Sequence, residues 1–244
     1  MRIDGEPAFV LHARPWRETS LLVELLTANH GRVGAVARGV QGPKQQARRA
    51  ALQPWQRITL AADGRGELWT LRQWEALDTP PRLAGEAALA GFYVHELLLR
   101  LLPRQDPAER VFARHAELRQ ALGGGGETLA WTLRRWERDL LDLLGLGLDW
   151  GRAADGQALD PVARYRIDPE QGPWRDPGQE RGSVRGSALL ALAADRRPAD
   201  EDLPDLRRAL RGVIEHQLEG RPLRSWSLWA DVRQAVAASE RQLP

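Results

Sequence analysis

The sequence predicts an α+β chain, a compact five-stranded β-barrel at the N-terminus followed by an α-helical domain. Three observations predict it. Five short segments rich in β-branched and aromatic residues fill the first 80 positions, with turn signals between them. "DTPPRL" at 78–83 then breaks the chain, with Pro80–Pro81 as the boundary. Beyond it, apolar residues recur at helical spacing.

The extended segments come first. "PAFVLHAR" reads as a short apolar strand, and "SLLVELLT" suits strand or helix by composition. "HGRVGAVARG" carries β-branched residues bounded by glycines. "WQRITLAA" and "GELWTLRQWEA" alternate in part, and "DGRG" between them is a hairpin signal. These make an N-terminal domain over 1–80. The second domain, 81–244, reads as helices at 85–102, 107–122, 127–145, 187–194, 202–219 and 225–239. The first is apolar on most faces and is expected to be central. In the fifth, Leu203, Leu206, Leu210, Val213, Ile214 and Leu218 form a one-sided stripe. "GGGG" at 123–126 reads as a flexible connection. Residues 146–182 read as an irregular, metal-free insertion with one strand-like piece, "VARYRID".

Composition excludes several function classes. With 244 residues there is room for a real core. The formal net charge is only +2, and Lys44 is the single lysine, so local clustering says more than the basic pI. The absence of cysteine rules out disulfides, thiolate metal sites and Cys nucleophiles. No signal-peptide core or membrane-spanning run is apparent, so a soluble, cytoplasmic protein is expected. Five histidines are scattered at 12, 30, 95, 115 and 216, and "HELLL" at 95–99 lacks the second histidine of a zinc-protease motif. There is no phosphate loop and no G-x-S-x-G elbow. No catalytic residues, no metal and no cofactor are expected.

One segment is unlike the rest. Between Glu24 and Asp63 there is no acidic residue, while Arg32, Arg38, Lys44, Arg48, Arg49 and Arg57 fall there. Cations on a small barrel suit phosphate tracking, because each one displaces counterions from a nucleic-acid backbone. Barrels of the OB type bind single strands with a charged groove and stacking aromatics. Trp16, between Arg14 and Arg17, lies in a connection such folds use for ligands; it is the candidate stacking residue, and Trp55 a weaker one. A solvated charged face, with Trp16 packed on its own barrel, is the plainer alternative.

A second constellation is "TLAWTLRRWERDLLDLLGLG". On a helical wheel, Leu129, Leu133, Trp136, Leu140 and Leu144 form one face, read as core. Trp131, Arg135 and Arg138 fall opposite, flanked by Arg134. Exposed together, they would suit an acidic, aromatic peptide. The alternative is a packed Trp131 beside solvated arginines.

These residues resemble a family. "AFVLHARPWRETSLLVELLTANHGRVGAVARGVQGPK" is similar to the N-terminal signature of RecO, the bacterial recombination mediator, and "LQPW" and "GELWTLRQWEA" continue it. "LRRWERDLLDLLGLG", "YRIDPEQG" and "GRPLRSWSLW" resemble its later motifs, in the right order over nearly the whole chain. The resemblance implies an N-terminal OB-fold, a helical domain, and binding of single- and double-stranded DNA. It further implies annealing of complementary strands, and loading of RecA, with RecR and with RecF as a further partner, on strands coated by single-stranded-DNA-binding protein (SSB). Family members also bind the acidic, Phe-ending SSB tail, which the Trp131, Arg134, Arg135 and Arg138 group would accommodate. Two departures stand out. The four-cysteine zinc site many members carry in the 146–182 region is missing, as in a zinc-less subgroup. Gln45 follows "PK" where the family often has serine, which shifts the following arginines.

The combined expectation is a DNA-repair mediator that is not an enzyme. Arg14, Trp16, Arg17, Arg32, Arg38, Lys44, Arg48, Arg49 and Arg57 are its expected DNA contacts. An OB-type RNA-binding or translation-linked protein, or an interaction adaptor that binds no DNA, are the alternatives.

Overall fold

The computed structural model of the chain describes residues 2–64, 66–124, 128–178 and 182–240. Five strands open it: β1 (Arg2–Trp16), β2 (Ser20–Thr27), β3 (Gly31–Ala37), β4 (Arg57–Asp63) and β5 (Leu68–Ala76). They pair in the order β1-β2-β3-β5-β4, and β4 returns to β1, so the ring of pairings closes. Only β3 and β5 run parallel. Closure depends on β1, which pairs with β4 through residues 2–9 and with β2 through residues 8–16. Register shifts at Ile3/Glu6 and Val10/His12 bend it from one neighbour to the other. "SLLVELLT" is a strand because it pairs on both edges, with β1 and with β3; tertiary pairing decides what composition left open. Val10, Val23, Leu25, Val33, Ile58, Leu60 and Trp69 fill the interior.

The chain forms two compact units, residues 1–124 with 223–244, and residues 125–222. The change from strand to helix at Pro80–Pro81 falls inside the first unit. There α2 (Gly85–Leu101) and α3 (Glu109–Gly123) pack on β1 and β2, and α7 (Arg224–Glu240) packs on α2. Between β3 and β4 lies the short helix α1 (Gln46–Ala50). Trp55, just before β4, adopts φ +71, unusual for a bulky residue. Its amide donates to the Val10 carbonyl, and its indole stacks on His95 at 4.1 Å and on His115 at 5.0 Å. A cluster of Trp55 with two buried histidines, themselves 5.3 Å apart, thus joins the barrel to α2 and α3.

The second unit holds α4 (Leu129–Leu143), α5 (Gly186–Ala193) and α6 (Leu203–Gln217), with an antiparallel sheet ordered β7-β6-β8: β6 (Arg164–Asp168), β7 (Gly172–Arg175) and β8 (Val184–Arg185). All six residues of the α6 stripe are buried. The 146–182 region is more regular than expected, since β7 accompanies the one anticipated strand and β8, just beyond it, completes the sheet. A glycine- and proline-bearing "GPWR" and a two-residue strand carry too little pattern to be read from sequence. This region is held by packing and hydrogen bonds. Trp150, Leu159 and Tyr165 are buried, the Tyr165 hydroxyl accepts from the Asp160 amide, and Arg164 joins Ser183 to Asp205. Of the glycine connection, Gly125 and Gly126 lie outside the described residues, as does Glu127 at the expected helix start. Among the described residues, no helix is long and apolar enough to cross a membrane.

Candidate nucleic-acid interface

The strand directions sort the cations. One end of the barrel collects the C-termini of β1, β3 and β5 and the N-termini of β2 and β4. Arg14, Trp16 and Arg17 sit there, at the β1–β2 hairpin. Arg38 follows β3 at the same end, where the Val40 and Gln41 amides donate to the Thr19 carbonyl and draw the two loops together. Lys44, Arg48 and Arg49 continue on the β3–β4 connection, and Arg57 opens β4. All seven cations are exposed. None has an ion-pair partner among the described residues. Arginines elsewhere are mostly paired, for example Arg72 with Asp4 and Asp63, and Arg119 with Asp78. Glu18, beside Arg17 in the hairpin, and Glu75, near the end of β5, are the acids close by, and neither forms an ion pair with these cations, so the acid-free segment leaves an excess of positive charge at this end.

Trp74 organises this end, and the sequence reading missed it. Its indole N–H donates to the Arg48 carbonyl at 2.9 Å, while the Arg48 guanidinium lies 4.3 Å from its ring centroid. The short helix α1 would be marginal alone; one buried tryptophan at the end of β5 fixes it. Trp16 is half-buried, with the Arg14 guanidinium 5.6 Å from its ring. It stays accessible at the hairpin, where Arg17 takes a left-handed φ of 54°.

Two expected contacts belong elsewhere. Arg32 lies near the start of β3, at the opposite end of the barrel. It is half-buried and donates to the Leu99 carbonyl at 2.6 Å, and its own carbonyl accepts from the Gln105 amide. Burial, and then the neighbouring Arg104, weaken its hold on the proton. Arg32 ties the barrel to the end of α2 and the segment after it, and is not part of the cationic end. Trp55 is 7% exposed and engaged by histidines, so its face is taken.

The expected tail-binding face of α4 is also corrected. Trp131 is 1% exposed and belongs to the core with Trp136. Arg134 is buried and paired with buried Glu137 one turn on. Arg135 reaches both oxygens of Asp195 at 2.9 Å, and Arg138 joins Asp195, Asp139 and the Leu192 carbonyl. Burial pushes the Asp195 carboxyl up, but the Arg138 and Arg135 guanidiniums more than offset it and hold it below the usual carboxylate range. The wheel failed because α4 is covered on two sides. The leucine stripe packs, and so does the opposite face, whose arginines pair with Glu137 and Asp139 nearby and with Asp195, distant in sequence. Among the described residues, no group of three or more histidines and acids could hold a metal.

Residues 1–80 match the family model "Recombination protein O N terminal", and residues 82–227 match "Recombination protein O C terminal". The chain belongs to the RecO family. It is 57% identical over 233 residues to a DNA repair protein RecO of Xanthomonas campestris pv. campestris, covering 93% of this chain and 96% of that one. Its identity to the DNA repair protein RecO of Xanthomonas euvesicatoria pv. vesicatoria is 55% over 237 residues, or 95% and 98% of the two chains. For that of Stenotrophomonas maltophilia (strain K279a) it is 54% over 232 residues, or 93% and 97%. The N-terminal match spans the barrel, including the whole cationic end of this RecO-family chain.

Proposed function

We propose that this chain is a DNA-repair and recombination mediator, acting without catalysis of its own, whose barrel end holds nucleic-acid phosphates. The observation that carries the reading is the gathering of Arg14, Arg17, Arg38, Lys44, Arg48, Arg49 and Arg57 at one end, exposed and without ion-pair partners among the described residues. Such a surface gains affinity for a polyanion by releasing the counterions condensed on it. Trp16 adds a ring on which an unpaired base can stack. Holding two strands against shared positive charge lowers their repulsion and so favours annealing. Family membership extends the reading to work with RecR, and with RecF, in loading RecA on SSB-coated strands.

The test is fluorescence anisotropy with single-stranded DNA across a salt series. The wild type is compared with an Arg38→Glu, Lys44→Glu, Arg48→Glu, Arg49→Glu variant whose fold is verified by circular dichroism. Loss of four phosphate contacts should flatten the slope of log K against log salt by about 3. Arg32→Ala should leave the slope unchanged. Equal slopes for wild type and the fourfold variant would refute the assignment.

A further inference from the structure

The outward face of β1 carries Trp16, Arg14 and His12 at period-two spacing, a run of about 13 Å. It leads from the cationic end into a cleft of about 700 Å³ lined by Leu11 and His12, by α2 and by the start of α7. The cleft is mostly apolar. Trp55 forms part of its wall because residue 91 is glycine; a Cβ there would lie 3.0 Å from the indole nitrogen. On α2, Phe92 is 61% exposed, an aromatic ring left in solvent at the edge of the cleft.

Two residues of the lining each carry a buried polar atom with no hydrogen-bond partner. These atoms are His95 Nε2 and Ser225 Oγ, in side chains that are each only 5% exposed. The other His95 nitrogen is engaged by the Leu11 backbone, which leaves Nε2 as an acceptor. Unmet acceptors of this kind cost stability unless something supplies a donor. At the mouth, Arg100 and Arg224 are exposed and have no ion-pair partner among the described residues. The one acid of the lining, Glu96, is occupied: its two oxygens accept from the Arg224 and Ser225 amides at 2.8 Å each, at the N-terminus of α7.

A ring surface, an N–H donor and an adjacent anion are together the chemistry of a nucleotide. We infer that the cleft receives an unstacked base of single-stranded DNA against Phe92, with flanking phosphates on Arg14, Arg100 and Arg224. The inference rests on the phosphate-binding reading of the barrel end and extends that surface by one base-binding pocket. A paired, stacked base cannot enter, so the cleft would favour single strands over duplex.

The full chain is titrated with a labelled single strand and with an abasic strand of equal length. The wild type is compared with Phe92→Ala, an exposed position whose loss leaves the core intact, in both Trp16 and Trp16→Ala backgrounds. The base-bearing strand should bind about tenfold tighter than the abasic one. Phe92→Ala should lose several-fold of that preference in both backgrounds, with the salt slope unchanged. An unchanged preference in Phe92→Ala, or equal binding of the two strands by the wild type, overturns the pocket while leaving the phosphate-binding role of the barrel end intact; equal binding would also remove Trp16 as a stacking ring. If the wild type binds neither strand, the barrel-end reading fails first and the pocket falls with it. An acidic aromatic peptide that binds wild type but not Phe92→Ala, with no base preference, would assign the cleft to a protein and overturn the inference.

Discussion

Replacing His115 by phenylalanine should change how stability depends on pH. His115 is fully buried, stacked on Trp55 and edge-on to Phe9, and neither of its ring nitrogens has a hydrogen-bond partner. Burial first, and then the nearby Arg119 guanidinium, push its imidazole down from 6.5 to about 3. The unfolded chain therefore binds one more proton than the folded chain between those values, and stability falls as pH falls. Above pH 7 both states are neutral and the effect vanishes. At pH 5 about 2 kcal/mol is lost through this one group, rising to about 4 kcal/mol at pH 3. His95 adds to the same trend, since burial, and then His115, lower it well below the histidine range. Urea unfolding of wild type and His115→Phe at pH 7.5, 6.5, 5.5 and 5.0 measures the difference. The wild type should lose about 2 kcal/mol more than the variant between the extremes. The comparison reads a slope, so any repacking cost of phenylalanine cancels. A stability difference independent of pH over that range would refute the argument and place His115 in contact with water or a hidden partner.

Other perturbations follow from the same geometry. Gly31 has φ +63, and a Cβ there would lie 1.8 Å from the Asp106 carbonyl oxygen; Gly31→Ala should cost about 3 kcal/mol or more by thermal unfolding. Glu137→Gln strands the buried Arg134 charge and should cost about 3–5 kcal/mol, whereas Arg134→Met with Glu137→Leu should be milder than either single change in urea unfolding. Trp131→Ala should destabilise by about 3–5 kcal/mol, as a core truncation does; a surface tryptophan would cost far less. Trp74→Phe keeps a ring beneath Arg48 but loses the N–H donor, so about 1 kcal/mol should go and amide exchange across 46–50 should quicken.

By itself the sequence determined most of the elements and the charge pattern, while the strand state of 20–27 and the strands β7 and β8 were settled by pairing. Strand segments with turn signals, and helices such as 203–217 with a single apolar stripe, are local regularities that survive any packing. The acid-free run from 25 to 62 was visible as composition alone. Tertiary structure decided which of those charges act together. Arg32 and Arg38 are neighbours in sequence, but β3 carries them to opposite ends of the barrel, where one finds the Leu99 carbonyl and the other finds solvent. Helix α4 presents the same lesson. A wheel assumes one buried side, and only its packing partners reveal that Trp131 lies inside and that Asp195, 60 residues from Arg135, takes up the charge. Periodicity is short-range and legible in the chain; burial and pairing depend on residues distant in sequence, and they settle which side chains are left for a ligand.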